Sequence, residues 1–248
     1  MGRRFEGRSA VVTGAGSGLG EAIAMRLARE GASVGVIDRD QASGERVADA
    51  IVTSGGNAVA LTADVSQQGE VAAAIAQAAS AHGGLHLAVN NAGISLPPAS
   101  TADQELESWD RIMGINVSGV FYGLKAQIPL ILQSGGGAIV NVASIFAFRG
   151  LPGHAPYAAS KHAVVGLTRS AGLEYCKLGV RINALCPGPF DTSMGRSSGF
   201  SEEQVAAMVP AGRAGRPDEA AAAVCFLLSD DAAFVVASEY ACDGGLLH

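Results

Sequence analysis

The chain alternates short apolar, β-branched runs with longer stretches in which apolar residues recur every three or four positions. Six runs are apolar almost throughout: Ser9–Thr13, Ser33–Asp38, Ala58–Thr62, Leu85–Asn90, Ala138–Ala143 and Arg181–Cys186. A weaker seventh is Glu239–Cys242. Runs without in–out alternation are expected of strands buried on both faces. The helical spacing predicts helices over Leu19–Glu30, Ala42–Ser54, Gln67–His82, Asp103–Gln133, Tyr157–Lys177 and Pro217–Leu228. The last opens on proline, whose missing N–H costs nothing in a first helical turn. This alternation, with crossovers long enough for parallel pairing, predicts an α/β fold: a Rossmann-type doubly wound parallel sheet of about seven strands with helices on both faces. The Gly/Ser pieces Ser134–Gly137 and Gly195–Gly199 are too short for linkers, and no repeat is visible, so residues 1–248 read as one domain. Ligands of such sheets bind beyond the carboxyl ends of the strands, which is where the chemistry is to be sought.

Composition narrows the class. With 48% hydrophobic residues a large core is available, and 33 glycines suit tight helix–sheet packing and close backbone turns. The net charge of −6, with no basic run beyond Arg3–Arg4, argues against a nucleic-acid partner. No uninterrupted apolar run reaches membrane-spanning length, and Met1–Gly7 lacks the apolar segment of a secretory signal. Cys176, Cys186, Cys225 and Cys242 form no CxxC pair, and no histidine stands at metal-finger spacing. They read as mostly buried thiols in a reducing compartment, the cytoplasm, with no metal site.

After the first predicted strand comes Thr13-Gly14-Ala15-Gly16-Ser17-Gly18-Leu19-Gly20, which opens a helix. Glycines here allow a sharp turn and the approach of a pyrophosphate, and the helix N-terminus adds unpaired N–H groups. Asp38 ends the second strand about 20 residues on, where a carboxylate accepts the adenosine-ribose hydroxyls and repels a 2′-phosphate. Arg39 beside it can pair with a phosphate, but Asp38 opposes that, so NAD is favoured over NADP. Asp64-Val65 follows the third strand: Asp64 either bonds an adenine amino group, with Val65 stacked on the ring, or it (or Ser66) caps the next helix. Asn90-Asn91-Ala92-Gly93 follows the fourth; its amides can bond the backbones of neighbouring strands, and Ala92 and Gly93 leave room for a flat ligand.

Ser144 closes the fifth strand, and 13 residues later stands Tyr157-Ala-Ala-Ser-Lys161. Tyr157 and Lys161 share a helical face at i, i+4. A phenol with a pKa of about 10 is a poor base at neutral pH, and a neighbouring ammonium lowers it. Taken alone, the pair reads as a solvated Tyr/Lys on an amphipathic helix, since the spacing is common by chance. In company it resembles something definite. The glycine loop, Asp64, Asn90-Asn-Ala-Gly93, Asn116, Ser144, Tyr157-x-x-x-Lys161 and Pro187-Gly188, in that order, are similar to the roughly 250-residue branch of the short-chain dehydrogenase/reductase family, from Gly7 to Asp243-Gly244-Gly245.

The resemblance implies roles. Tyr157 would transfer the proton, Ser144 orient the substrate oxygen, and Lys161 also bind the nicotinamide ribose. Asn116 would hold a water linked to Lys161; without the family it reads as a helix-interior Asn bonding one turn back, or a kink. Pro187, Gly188, Phe190 and Thr192 would pass the nicotinamide. The reaction implied is NAD-dependent interconversion of a secondary alcohol and a ketone, by a homotetramer. Where family members often have Thr-Gly, this chain has Val236-Ala237, which puts the local packing in doubt.

Substrate specificity is expected from a loop over 192–212, carrying Met194, Phe200, Val205, Met208 and Val209, and from Phe146, Ile94 and Leu96. His154, three residues before Tyr157, either faces the cleft or is a loop hydrogen-bonder. With Arg196, Arg213 and Arg216 as the only nearby loop cations, a small, largely apolar alcohol such as a cyclic one is expected. The rivals are an NADPH-dependent carbonyl or 3-oxoacyl-type reductase, opposed by Asp38, and a dinucleotide-sensing scaffold without catalysis, opposed by the intact Asn116, Ser144, Tyr157 and Lys161. A sugar epimerase or dehydratase of the longer branch would need a substrate domain for which this length leaves no room.

Overall fold

A computed structural model describes residues 3–196 and 200–248. Ser197–Gly199, within the expected specificity loop, lie outside the described residues, as do Met1 and Gly2. Seven parallel strands form one sheet in the order β3-β2-β1-β4-β5-β6-β7: β1 Ser9–Thr13, β2 Ser33–Asp38, β3 Asn57–Thr62, β4 Leu87–Asn90, β5 Gly137–Val142, β6 Val180–Pro187 and β7 Glu239–Cys242. The order reverses between β1 and β4, which opens a crevice at their carboxyl ends.

Side-chain alternation divides the core. Ala10 and Val12 of β1 and Val34 and Val36 of β2 face one side, packed with Ile23 and Leu27 of α1 (Gly18–Arg29), Val47 and Ile51 of α2 (Gln41–Thr53) and Val224 and Leu227 of α9 (Pro217–Leu228). Val11 and Ile37 face the other, with Ile75 of α3 (Gln68–His82), Leu124 and Ile131 of α5 (Gly119–Gln133) and Val164 of α6 (Ala155–Tyr175). Each fully buried Val, Leu or Ile among them contributes about 1.5–3 kcal/mol. The glycine-rich composition matters at Gly35, where a Cβ would stand 2.8 Å from Ala78 on α3.

Three expectations need correction. The helix expected over Asp103–Gln133 is α4 (Leu106–Met113), a π-turn over Gly114–Ser118, then α5, preceded by a single 3₁₀ turn. By length and composition Leu106–Gln133 would cross a membrane, yet Val120, Leu124, Ile128 and Ile131 are buried against the sheet. The segment 192–212 is partly helical: α7 (Ser193–Arg196) and α8 (Glu202–Met208), the latter started by a capping box between Ser201 and Gln204. Neither Asp64 nor Ser66 caps α3; its N-cap is Gln67, while Asp64 accepts the Ser66 N–H and hydroxyl and so shapes the turn ahead.

Candidate active site

The glycine loop joins β1 to α1. Gly14 sits at φ +62°, and a Cβ there would come within 2.9 Å of Ala92. A Cβ on Gly20 would lie 2.1 Å from the Gly14 carbonyl oxygen, so only glycine lets the helix start this close. Thr13 ties the loop to the end of β4: its hydroxyl accepts the Asn91 and Ala92 N–H groups at 3.0 and 3.1 Å. Asn91 Nδ2 donates back to the Thr13 and Gly14 carbonyls. That is the backbone bracing expected of these amides. Asn90 behaves otherwise, bonding the buried side chains of Gln127 and Asn141. Ser17 is the N-cap of α1; it is exposed and makes no cap bond, which leaves its hydroxyl available.

At the end of β2, Asp38 accepts the Gly16 N–H at 2.8 Å and the Asp40 N–H at 3.0 Å. The carboxylate is thus fixed against the loop, in the place an adenosine ribose would need. Arg39 points to solvent and Val65 is buried below. Gly18 faces Thr192, and between them a cavity of about 520 Å³ is lined by Ser17, Gly18, Glu21, Thr192 and Arg196. A second cavity, about 370 Å³, opens at the amino ends of the strands around Arg4, Arg8 and Arg181, away from every candidate residue.

At the carboxyl ends of β4 and β5 the catalytic candidates converge. Lys161 is buried on α6 and donates to the Val142 carbonyl at 3.0 Å, which uses one of its three N–H bonds. Its Nζ lies 5.6 Å from the centre of the Tyr157 ring. Above Gly93, a Cβ would stand 3.5 Å from that Nζ and 3.3 Å from Asn116 Oδ1, so the glycine keeps open a space bordered by both. The π-turn explains Asn116. One extra residue in the turn swings its amide inward, where Nδ2 donates to the Ile94 carbonyl and Oδ1 accepts the Ile94 N–H, at 2.9 and 2.8 Å. Nδ2 also reaches Ser160 Oγ at 3.1 Å. The bond one turn back, and a simple kink, are both replaced by this nonlocal clamp.

The electrostatics only partly follow the spacing. Burial pushes the Tyr157 phenol above its ordinary value of 10.0, and hydrogen bonding to Ser144 pulls the other way. The ammonium of Lys161 is itself buried, and its pKa falls to about 8. Burial also pushes the Cys186 thiol up to about 12, so it stays neutral. All four cysteines are free; Cys186 and Cys225 are buried, Cys176 and Cys242 half-buried.

The substrate side is less uniform than its sequence suggests. Phe146 packs edge-on to Tyr157 with ring centres 6.4 Å apart, and the Arg149 guanidinium sits 5.7 Å from the Phe146 ring. Arg149 was not among the expected cations; three residues after Phe146 in a 3₁₀ turn and its exit, it stands within about 12 Å of the Tyr157 ring by these two contacts. His154 is the N-cap of α6, with no side-chain cap bond. Met194 is exposed on α7. Thr192 Oγ1 accepts the Gly195 N–H and so starts α7. The Phe190 ring is buried in the core against Gly215, leaving only its backbone to face a ligand, and Gly188 packs on Asp243.

Residues 14–247 match a family model described as enoyl-(acyl carrier protein) reductase. The cyclohexanol dehydrogenase of Acinetobacter sp. (strain SE19) is 43% identical over 244 residues, covering 98% of this chain and 96% of that one. The chain belongs to the short-chain dehydrogenase/reductase family. A solved levodione reductase superposes with a TM-score of 0.94 at 37% identity over 98% of each chain. A 3-ketoacyl-(acyl-carrier-protein) reductase from Brucella melitensis, complexed with NADH, gives 0.93 at 37% identity over 98% of this chain and 100% of that one. This short-chain dehydrogenase/reductase is thus an oxidoreductase acting on CH–OH groups.

Proposed function

We propose that this enzyme interconverts a small cyclic secondary alcohol and its ketone with NAD, in the cytoplasm. The observation that carries the reading is the meeting of Tyr157, Ser144, Lys161 and Asn116 at one end of the sheet, beside a glycine loop braced by Thr13 and Asn91. The tight glycine turn at Gly14 and Gly20, the further N–H donors of buried Lys161 and the space over Gly93 fit a dinucleotide. When bound, NAD supplies the hydride acceptor and, oxidised, a positive ring. Tyr157 takes the hydroxyl proton in oxidation and returns it in reduction. Ser144 holds the oxygen, and Lys161 favours the phenolate by charge and binds the ribose. Asn116, clamped on Ile94, borders the space behind Lys161 where a water would connect it to solvent. Asp38, already aimed at the Gly16 amide, favours NAD by repelling a 2′-phosphate. The described residues of 192–212, with α7 and α8, would form the wall that selects substrate. Free thiols, two of them fully buried, suit a reducing compartment. The relatedness to a cyclohexanol dehydrogenase supports a ring alcohol.

Arg149 favours a second reading, in which the ring carries a carboxylate remote from the carbinol. Secondary alcohols, with and without a carboxylate, assayed with NAD and NADP by absorbance of the reduced cofactor, decide between them. Activity confined to sugars or acyl thioesters would overturn both. Tyr157→Phe should bind NADH normally and lose turnover by orders of magnitude; near-native turnover would sink the assignment.

A further inference from the structure

Behind the glycine loop lies a charged cluster that the reaction does not use. Arg46 of α2 donates from Nη2 to the Gly16 carbonyl at 2.8 Å. Its guanidinium also forks onto Glu21 of α1, Nη1 to Oε1 at 2.8 Å and Nη2 to Oε2 at 2.7 Å. Asp38 holds the amide of the same glycine. One residue, Gly16, therefore has the carboxylate on its N–H and the guanidinium on its C=O. It also fits closely: a Cβ on Gly16 would lie 2.8 Å from Ser43, one turn before Arg46 on α2.

This placement has an electrostatic consequence. A 2′-phosphate entering at Asp38 would arrive next to Gly16, within reach of a guanidinium whose planar fork matches phosphate well. Glu21 occupies both arms of that fork and cancels its charge. We infer that Glu21 is a second determinant of nucleotide choice, working through Arg46: it holds this guanidinium behind Gly16 away from a 2′-phosphate, while Asp38 repels the phosphate directly. Arg46 is in turn a positioning residue for the loop carbonyl. The inference rests on the reading that NAD is the cofactor.

The test is direct binding of NADH and NADPH, followed by cofactor fluorescence, to the wild type, Glu21→Gln and the double variant Glu21→Gln/Arg46→Gln. In Glu21→Gln the affinity for NADPH should rise about 5- to 10-fold, with NADH affinity within about twofold, since an exposed guanidinium–phosphate pair is worth about that much. The gain should shrink at high salt, as for any surface charge, and vanish in the double variant. An unchanged NADPH affinity in Glu21→Gln overturns the inference. So does a gain that survives removal of Arg46, or an equal loss of both dinucleotides, which would assign the pair to loop support alone. A wild type that binds NADPH more tightly than NADH would instead defeat the NAD reading itself.

Discussion

Replacing Lys161 by Met removes a buried charge while keeping most of the space it fills. Burial lowers the ammonium pKa from 10.5 to about 8. That difference means the fold disfavours the charged form by about 3 kcal/mol. Because the folded value is the lower one, the unfolded chain binds more protons between pH 8 and 10.5. Wild-type stability therefore rises with pH through that window, and the full penalty is present below pH 8. Against it stands the bond from Nζ to the Val142 carbonyl, whose loss costs about 1–2 kcal/mol. Lys161→Met should be more stable than wild type by about 1–2 kcal/mol at pH 7. At pH 10 the advantage should be gone. Urea unfolding followed by circular dichroism at pH 7, 8.5 and 10 measures it, and turnover of the same variant should fall by orders of magnitude. An advantage that does not change with pH would show that the charge carries no burial cost. A variant much weaker than wild type at pH 7 would show that the ammonium is a net support of the fold, and either result refutes the reasoning.

Ala237 is the one non-glycine residue at positive φ among the described residues, +53°, at the position where the family often has glycine. Ala237→Gly should remove about 1–2 kcal/mol of backbone strain less the entropy of a freer unfolded chain, raising Tm by about 2 °C; an unchanged or lower Tm in a thermal melt contradicts this. His82 and His86 both have pKa values lowered by burial. The unfolded chain then protonates first, so stability should fall as pH drops below about 6.5, and His82→Leu should flatten the dependence of the urea midpoint between pH 7.5 and 5.5. Leu173, Phe234 and Tyr240 are exposed large apolar residues, as are Leu106, Trp109 and Phe121. If Phe234, the most exposed of them, is covered between subunits of a symmetric oligomer, Phe234→Glu should lower the mass measured by light scattering, and an unchanged mass counts against that contact.

Much of the architecture is legible because parallel strands buried on both faces leave continuous apolar runs, and β1 and β2 lie where those runs begin and end. The glycine loop is legible because its constraint is local: Gly14 and Gly20 meet within one turn. Asn116 is a different case. Its clamp partner, Ile94, is 22 residues away, and a π-turn leaves almost no trace in apolar periodicity. Phe190 lies in the segment expected to pass the cofactor, but Gly215 supplies the gap that takes its ring into the core. Helix α8 did carry a signal, the Ser201-x-x-Gln204 capping box ahead of Val205 and Met208. The i, i+4 spacing brings Tyr157 and Lys161 together, yet the direction of the phenol's shift depends on burial, which spacing does not report.

The polar chain behind the site shows why burial and chemistry coexist there. Asn90 and Gln127 exchange two side-chain bonds, Asn90 donates on to Asn141, and Asn141 donates to Thr168, all fully buried. Each amide left unpaired at this depth would cost about 1–3 kcal/mol, so the chain is tolerable only because every member has a partner. In return it joins β4 and β5 to α5 and α6 with directional bonds that apolar contacts lack. Asn90 immediately precedes Asn91, which braces the glycine loop, and Asn141 immediately precedes Val142, whose carbonyl receives Lys161. The bonds that fix those two strands to the helices thus also fix the loop and the ammonium. A penalty for burying Lys161 can persist because the ammonium's seat is held from behind and has no cheaper position to relax into.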